Sequence, residues 1–267
     1  MTIFNFEVKK NLKSNMLWIL GILIFMIIMM AFYPVISKEQ ELMDMILTYY
    51  PPELLKAFGL SNVQSFATIK GYLPFIFVFL QLMLAIYASV LGFSTLTLEE
   101  SERTADFLLT KPVSRTKIFV LKLASAMSGL LLISIMTIVS IVFSIMIFAT
   151  DETIDYSVMV WLYVSVPLFQ LLFFSVGLFI SMTLKRVRSV LGLAMGLSFA
   201  SYGIYSIKEI IDVDWMGVFT PFHYFEAALI IKEGGLNGLF LGLSILIITI
   251  CMIGSYRLYI KRNIALY

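Results

Sequence analysis

Leu123–Thr150 reads LASAMSGLLLISIMTIVSIVFSIMIFAT, with no charged residue from end to end. At about 1.5 Å per residue such a segment makes a helix about 40 Å long, more than the roughly 30 Å hydrocarbon layer of a bilayer. Its continuous apolar character excludes the short alternating strands of an outer-membrane barrel. Five further uncharged stretches accompany it, at Met16–Ile36, Gly71–Leu98, Tyr156–Leu184, Ser189–Ile207 and Gly234–Tyr256. The expected fold is an all-α integral membrane protein with six transmembrane helices in a single domain, residues 1–267.

Composition supports this class and excludes others. Of 267 residues, 60% are hydrophobic and 13% charged, about half the charged share of a soluble domain. A mean hydropathy of +0.97 is incompatible with disorder. A net charge of +2 offers nothing for a nucleic-acid partner. Cys251 is the sole cysteine, so no internal disulfide is available.

The basic residues orient the bundle, because cytoplasmic flanks are enriched in Lys and Arg. Lys9, Lys10 and Lys13 precede the first span, and Arg103, Lys111, Arg115, Lys117 and Lys122 join the second to the third. Lys185, Arg186 and Arg188 follow the fourth, and Arg257, Lys261 and Arg262 follow the sixth. The other side carries Lys38, Lys56, Lys70, Lys208 and Lys232, and its third connection is acidic, with Asp151, Glu152 and Asp155. Both termini are therefore expected in the cytoplasm. The first span is too long for a secretory signal and no small-x-small site closes it, so it reads as a retained anchor.

The connections carry more structure than loops require. In FNFEVKKNLKS, residues 4–14, Phe4, Val8 and Leu12 recur at helical spacing with Lys9, Lys10 and Lys13 off the stripe. Residues 1–15 are thus expected to form an amphipathic helix on the inner membrane face. In EESERTADFLLTKPVSRTK, residues 99–117, Glu99, Glu100 and Glu102 suit a helix start, while Ala105, Leu108 and Leu109 form an apolar face. Pro112 ends that helix, Ser114 caps the next, and Lys122 is expected to snorkel to the headgroups. A hydrophobic face on this side calls for a partner or the bilayer surface. On the other side, Pro51 and Pro52 can open a short helix that Gly59 closes, with Leu54, Leu55 and Phe58 on its apolar side. In residues 208–233, an external cap or re-entrant segment, Thr220 is a candidate N-cap before Pro221. Phe222, Tyr224 and Phe225 suit the membrane interface there.

Together these segments resemble the membrane subunits, or permeases, of ABC transporters of the ABC-2 type, mostly exporters. FNFEVKKNLKS looks like the family's N-terminal connecting helix, and PPELLKAFG looks like its first external loop. EESERTADFLLTKPVSR is similar to the stretch that contains the coupling helix, and TPFHYF and YIKRNI are similar to motifs flanking the last span. The tail carries Asn263 where the family commonly has an acidic residue. The resemblance implies a multi-pass protein of a bacterial cytoplasmic membrane, working as a dimer of permeases with a separate P-loop ATPase that binds ATP and Mg. It also implies that Glu99, Glu100, Glu102, Arg103, Thr104, Leu108, Leu109, Pro112 and Arg115 couple to that ATPase. Phe4, Val8, Lys9, Lys10 and Leu12 would then belong to the connecting helix. Phe222, His223, Tyr224 and Phe225 would form an external gate.

Other chemistries lack their residues. No G-x-x-x-x-G-K-[ST] segment cradles a nucleotide. Glu99, Glu100 and Arg103 resemble the glutamate motif of prenyl-protein proteases, but the spacing is one residue short and that chemistry needs histidines. His223 is the sole histidine, so it reads as an interfacial or hydrogen-bonded residue and no metal site is expected. A secondary transporter would leave ionisable groups deep in its spans. These spans hold instead the amides Gln81, Gln170 and Asn237, read as interhelical hydrogen bonders. Gly192, Gly196, Ala200 and Gly203 form a small-residue stripe on the fifth span, repeated by Gly238 and Gly242 on the sixth, suited to close helix packing within or between subunits. Uncharged walls favour an amphipathic cargo, and within the family this resembles the exporters of amphipathic peptides; hydrophobic drugs or lipids are the alternative.

Overall fold

The computed structural model describes residues 3–38, 68–97, 114–150, 156–184 and 186–261, with Met45, Tyr49, Pro51 and Leu55 between the first two stretches. Among the described residues all regular structure is helical. The elements are α1 (Ile3–Ala31), α2 (Tyr33–Ile36), α3 (Ile69–Thr95), α4 (Arg115–Phe148), α5 (Tyr156–Thr183) and α6 (Val190–Ile211). A 3-10 turn (Asp214–Phe219), α7 (Pro221–Tyr224), α8 (Ala227–Glu233) and α9 (Gly238–Lys261) follow. Six helices are long and apolar enough to cross a membrane.

The N-terminal helix is present but is not separate from the first span. α1 runs unbroken from Ile3 to Ala31, so residues 4–14 do not lie as an independent helix across the membrane face. No glycine or proline precedes Gly21 to break it. Its packed face is also different from the expected stripe. Glu7 and Asn15 are buried, whereas Phe4 and Val8 are half-buried and Leu12, Lys9 and Lys10 are exposed.

The remaining termini follow from local chemistry. Ser114 caps α4, its hydroxyl accepting from Lys117 N at 3.3 Å, and Ser189 caps α6 by accepting from Gly192 N at 3.1 Å. α6 runs on past Ile207 and ends at Asp212 in the left-handed region, φ 54°. α9 begins at Gly238 and not at Gly234, because Gly234 holds φ 69° as the C-cap of α8 and Asn237 Oδ1 accepts from Leu239 N at 3.0 Å. Outside the first span, Leu55 N bonds Pro51 O at 3.2 Å, one helical turn; the rest of the segment expected to form a helix there lies outside the described residues.

α3 and α5 form the central pair, with α6 against α3, α9 against α5, and α1 along α4. Their approach requires glycine: a Cβ on Gly92 would collide with the Phe174 carbonyl oxygen, and one on Gly177 would lie 3.2 Å from Ser89 O. The stripe expected to pack closely is elsewhere and open. A Cβ on Gly196, Gly203, Gly238 or Gly242 would meet nothing within 4 Å. Large apolar side chains cover the outer faces, among them Leu17, Leu20, Ile24, Leu131, Leu246 and Ile250. A belt of that kind is stable against hydrocarbon and not against water.

Candidate functional site

At the end of the bundle that carries both described chain ends, the three polar side chains Glu7, Asn11 and Asn15 repeat at helical spacing along α1. Lys122, in the second turn of α4, does not snorkel outward. It is 3% exposed, its Nζ 3.2 Å from Glu7 Oε1 and donating to Thr95 O at 3.1 Å. A polar partner within reach on α1 makes the inward rotamer better than stretching to the headgroups. Two turns deeper, Tyr87 OH donates to Asn15 Oδ1 at 3.0 Å, above Gly129, where a Cβ would crowd both groups. Glu7, Asn11, Ser94, Thr95, Lys122 and Ala126 line a small cavity. Thr95 closes α3 and Lys122 lies near the start of α4, so the clamp brackets residues 98–113 and ties both flanks to α1.

Arg115, the described member of the expected coupling set, donates from Nη1 to Ile260 O at 3.3 Å, and Thr116 lies 3.4 Å from the Tyr256 hydroxyl. The Phe119 ring packs on Tyr256 and Tyr259 at 5.3 and 5.7 Å. These contacts bind the start of α4 to the end of α9. Glu99, Glu100, Glu102, Arg103, Thr104, Leu108, Leu109 and Pro112 lie outside the described residues.

At the opposite end, the chain leaving α6 turns back between the helices. Thr220 stands at the N-cap position of α7 without making a cap bond. Fully buried, its hydroxyl donates instead to Ser201 O at 2.9 Å, about halfway along α6. Gln81, near the middle of α3, donates from Nε2 to Phe225 O at 2.7 Å. α8 then climbs out to Gly235 beside Trp161. The segment thus folds back against the middles of α3 and α6.

Its aromatics are buried inside the bundle and do not face outward as interfacial anchors would. Phe222 and Phe225 are each 1% exposed. Phe222 packs on Phe169, Phe173, Tyr202 and Tyr205 with centroids 5.3 to 6.2 Å apart, and Phe225 meets Phe169 edge-on at 6.1 Å. Tyr224 stacks on Phe240 at 5.1 Å and donates its hydroxyl to Val218 O. Burial pushes the Tyr224 phenol above its ordinary pKa of 10.0, which keeps it a donor. Edge-on clusters of this kind contribute about 0.5–1.5 kcal/mol per pair beyond burial. His223 Nδ1 is 3.1 Å from Glu226 Oε2, with the Phe240 ring 5.0 Å away.

A protein-family model described as "ABC-2 family transporter protein" matches residues 1–210. The chain belongs to the ABC-2 family of transporter proteins. No curated protein and no solved structure matches it. It is the membrane component, or permease, of an ABC transporter. The matched stretch contains the Glu7–Lys122–Thr95 clamp and most of α6, while the folded-back aromatic segment and α9 follow it.

In this permease the four expected gate residues are brought together, although as buried packing. The expected connecting-helix residues face outward or are half-buried, and the inward positions are Glu7, Asn11 and Asn15. Glu7 could have been found from its opposite charge to Lys122 at the same end of neighbouring spans. Glu226 could have been found three residues after His223, one helical turn away. Of the three amides, Gln81 bonds a backbone carbonyl and Asn237 caps α9. Gln170 is fully buried with no hydrogen-bond partner among the described residues for either amide atom.

Proposed function

We propose that this permease is the membrane subunit of an ATP-driven exporter of amphipathic peptides such as peptide toxins or antimicrobial peptides. It works with a separate P-loop ATPase, which binds ATP and Mg, and with a second permease subunit, identical or different. The observation that carries the reading is membership of the family over residues 1–210 in a chain that has no phosphate-binding Gly-rich segment of its own.

Both termini are on the cytoplasmic side of a bacterial inner membrane, and the ATPase docks on residues 99–117. Closure of the ATPase pushes on that connection. The clamp supports transmission, because Thr95, Lys122 and Glu7 join α3, α4 and α1 at its two flanks. The open stripe Gly196–Gly203 lets a second subunit approach α6 closely. Phe222, His223, Tyr224 and Phe225 form the gate: their segment fills the bundle to half its depth, and export requires it to move. Uncharged helices and an aromatic core accept the apolar side of a peptide without dehydrating fixed charges.

The permease reconstituted with its ATPase is titrated with amphipathic helical peptides and with scrambled peptides of equal composition. Stimulated ATP hydrolysis and vesicular uptake by the amphipathic set alone is expected. Equal response to both sets, or transport of a hydrophobic drug or lipid and of neither peptide set, overturns the cargo assignment.

A further inference from the structure

We infer that the end of the bundle with the folded-back segment holds a divalent transition-metal site, of the zinc class, formed by Glu209, His223 and Glu226. One ligand atom from each of these residues lies within 4.8 Å of those of the other two. Glu209 ends α6, while His223 and Glu226 belong to the folded-back segment, so an ion there cross-links two elements that export must separate. This goes beyond the transporter role and does not depend on the cargo.

The donor set suits such an ion. Three protein ligands, one imidazole nitrogen and two carboxylate oxygens, leave a fourth position for water, and zinc takes nitrogen and oxygen ligands at about 2.0–2.2 Å. Two ligand atoms on a tetrahedron of that radius are about 3.4 Å apart. His223 Nδ1 and Glu226 Oε2 already stand at 3.1 Å. The widest separation that the 4.8 Å envelope permits closes by about 1.4 Å, within the reach of a glutamate rotamer change.

The surroundings fix the ligands as a metal site requires. The Tyr205 hydroxyl, itself buried, hydrogen-bonds Glu226, and such outer partners orient a ligating carboxylate. Gly217 backs the imidazole so closely that a Cβ there would collide with Cδ2 and come within 2.8 Å of Nε2. The Nδ1 edge is therefore turned to the carboxylates. Charge balance asks for a cation as well. The side chains of Glu209 and Glu226 are 14% and 13% exposed, and the Lys208 ammonium pairs with Glu209 alone, its Nζ 2.7 Å from Oε1. With a neutral imidazole, two carboxylates and one ammonium leave one negative charge uncompensated among the described residues, in a poorly solvated place. A divalent ion removes it and competes with Lys208 for Glu209.

The competition supplies the test. The full-length permease, purified with its affinity tag removed, is titrated with ZnCl2 and with CoCl2. One ion per chain is expected, with visible Co2+ bands of a four-coordinate site. Binding should weaken at least about tenfold in His223→Gln and in Glu226→Gln, and tighten in Lys208→Gln, which frees Glu209. Circular dichroism checks that the variants fold, and the wild-type Co2+ spectrum is independent of them. No binding by the wild type at about 1 mM, or binding unchanged in both ligand variants, overturns the site. So does a Lys208→Gln protein that melts lower and binds no more tightly, the behaviour of an ion-pair network without a metal.

Discussion

Lys122 Nζ lies 3.2 Å from Glu7 Oε1, joining the second turn of α4 to the start of α1 across most of the first half of the chain. Both side chains are removed from solvent, at 3% and 10% exposure, and Lys122 also holds the last carbonyl of α3, Thr95 O. Removing Lys122 takes from the buried Glu7 carboxylate its cation, and breaking a buried pair typically costs about 3–5 kcal/mol. Lys122→Met and Glu7→Gln are each expected to lower the melting temperature of the purified chain. The double variant should lose less than the two single losses added. Strict additivity would show that the two groups do not interact.

The α3–α5 approach predicts a contrast between two glycines. Gly92→Ala forces its methyl against the Phe174 carbonyl, a backbone atom that cannot rotate away, and overpacking of this kind costs about 1–3 kcal/mol. Gly196→Ala meets nothing within 4 Å and should leave the stability of the isolated chain unchanged or slightly higher, since Ala is the better helix former. Thermal unfolding of both variants checks this; equal effects would contradict the helix contact.

Gln170 is fully buried and its amide has no partner among the described residues, and an unsatisfied buried polar group costs about 1–3 kcal/mol. Gln170→Leu keeps nearly the same volume and should raise the melting temperature. A lowered one would reveal a partner for the amide.

Single cysteines at Ser101 and Asp151, in a background with Cys251 replaced by Ser, check the orientation inferred from the basic residues. An impermeant thiol reagent on intact cells should label the Asp151 position and spare the Ser101 position. Labelling of both to the same extent would defeat the six-span topology with internal termini.

How much was legible in advance depended on whether the deciding interaction was local. The six spans were legible from Leu123–Thr150 and its five companions, because within a bilayer each backbone polar group must be satisfied inside its own segment. Length and absence of charge then suffice to specify a helix. The cap at Ser114 was legible for the same reason, since a hydroxyl and an amide three residues apart decide it. The destinations of side chains with a large apolar body were not. Lys122, Phe222 and Phe225 each have an apolar body that suits either a headgroup region or a packed interior.

The sequence by itself determined that this protein is a six-helix membrane bundle with a strongly basic side, since hydrocarbon acts on each segment independently of the others. The tertiary structure alone decided that Lys122 turns inward to Glu7. It also decided that the aromatic segment folds back to Gln81, and that His223 meets Glu209 as well as Glu226. Each of these rests on a partner distant along the chain, as with Gln81 and Phe225, so each exists only once helices that formed separately have packed.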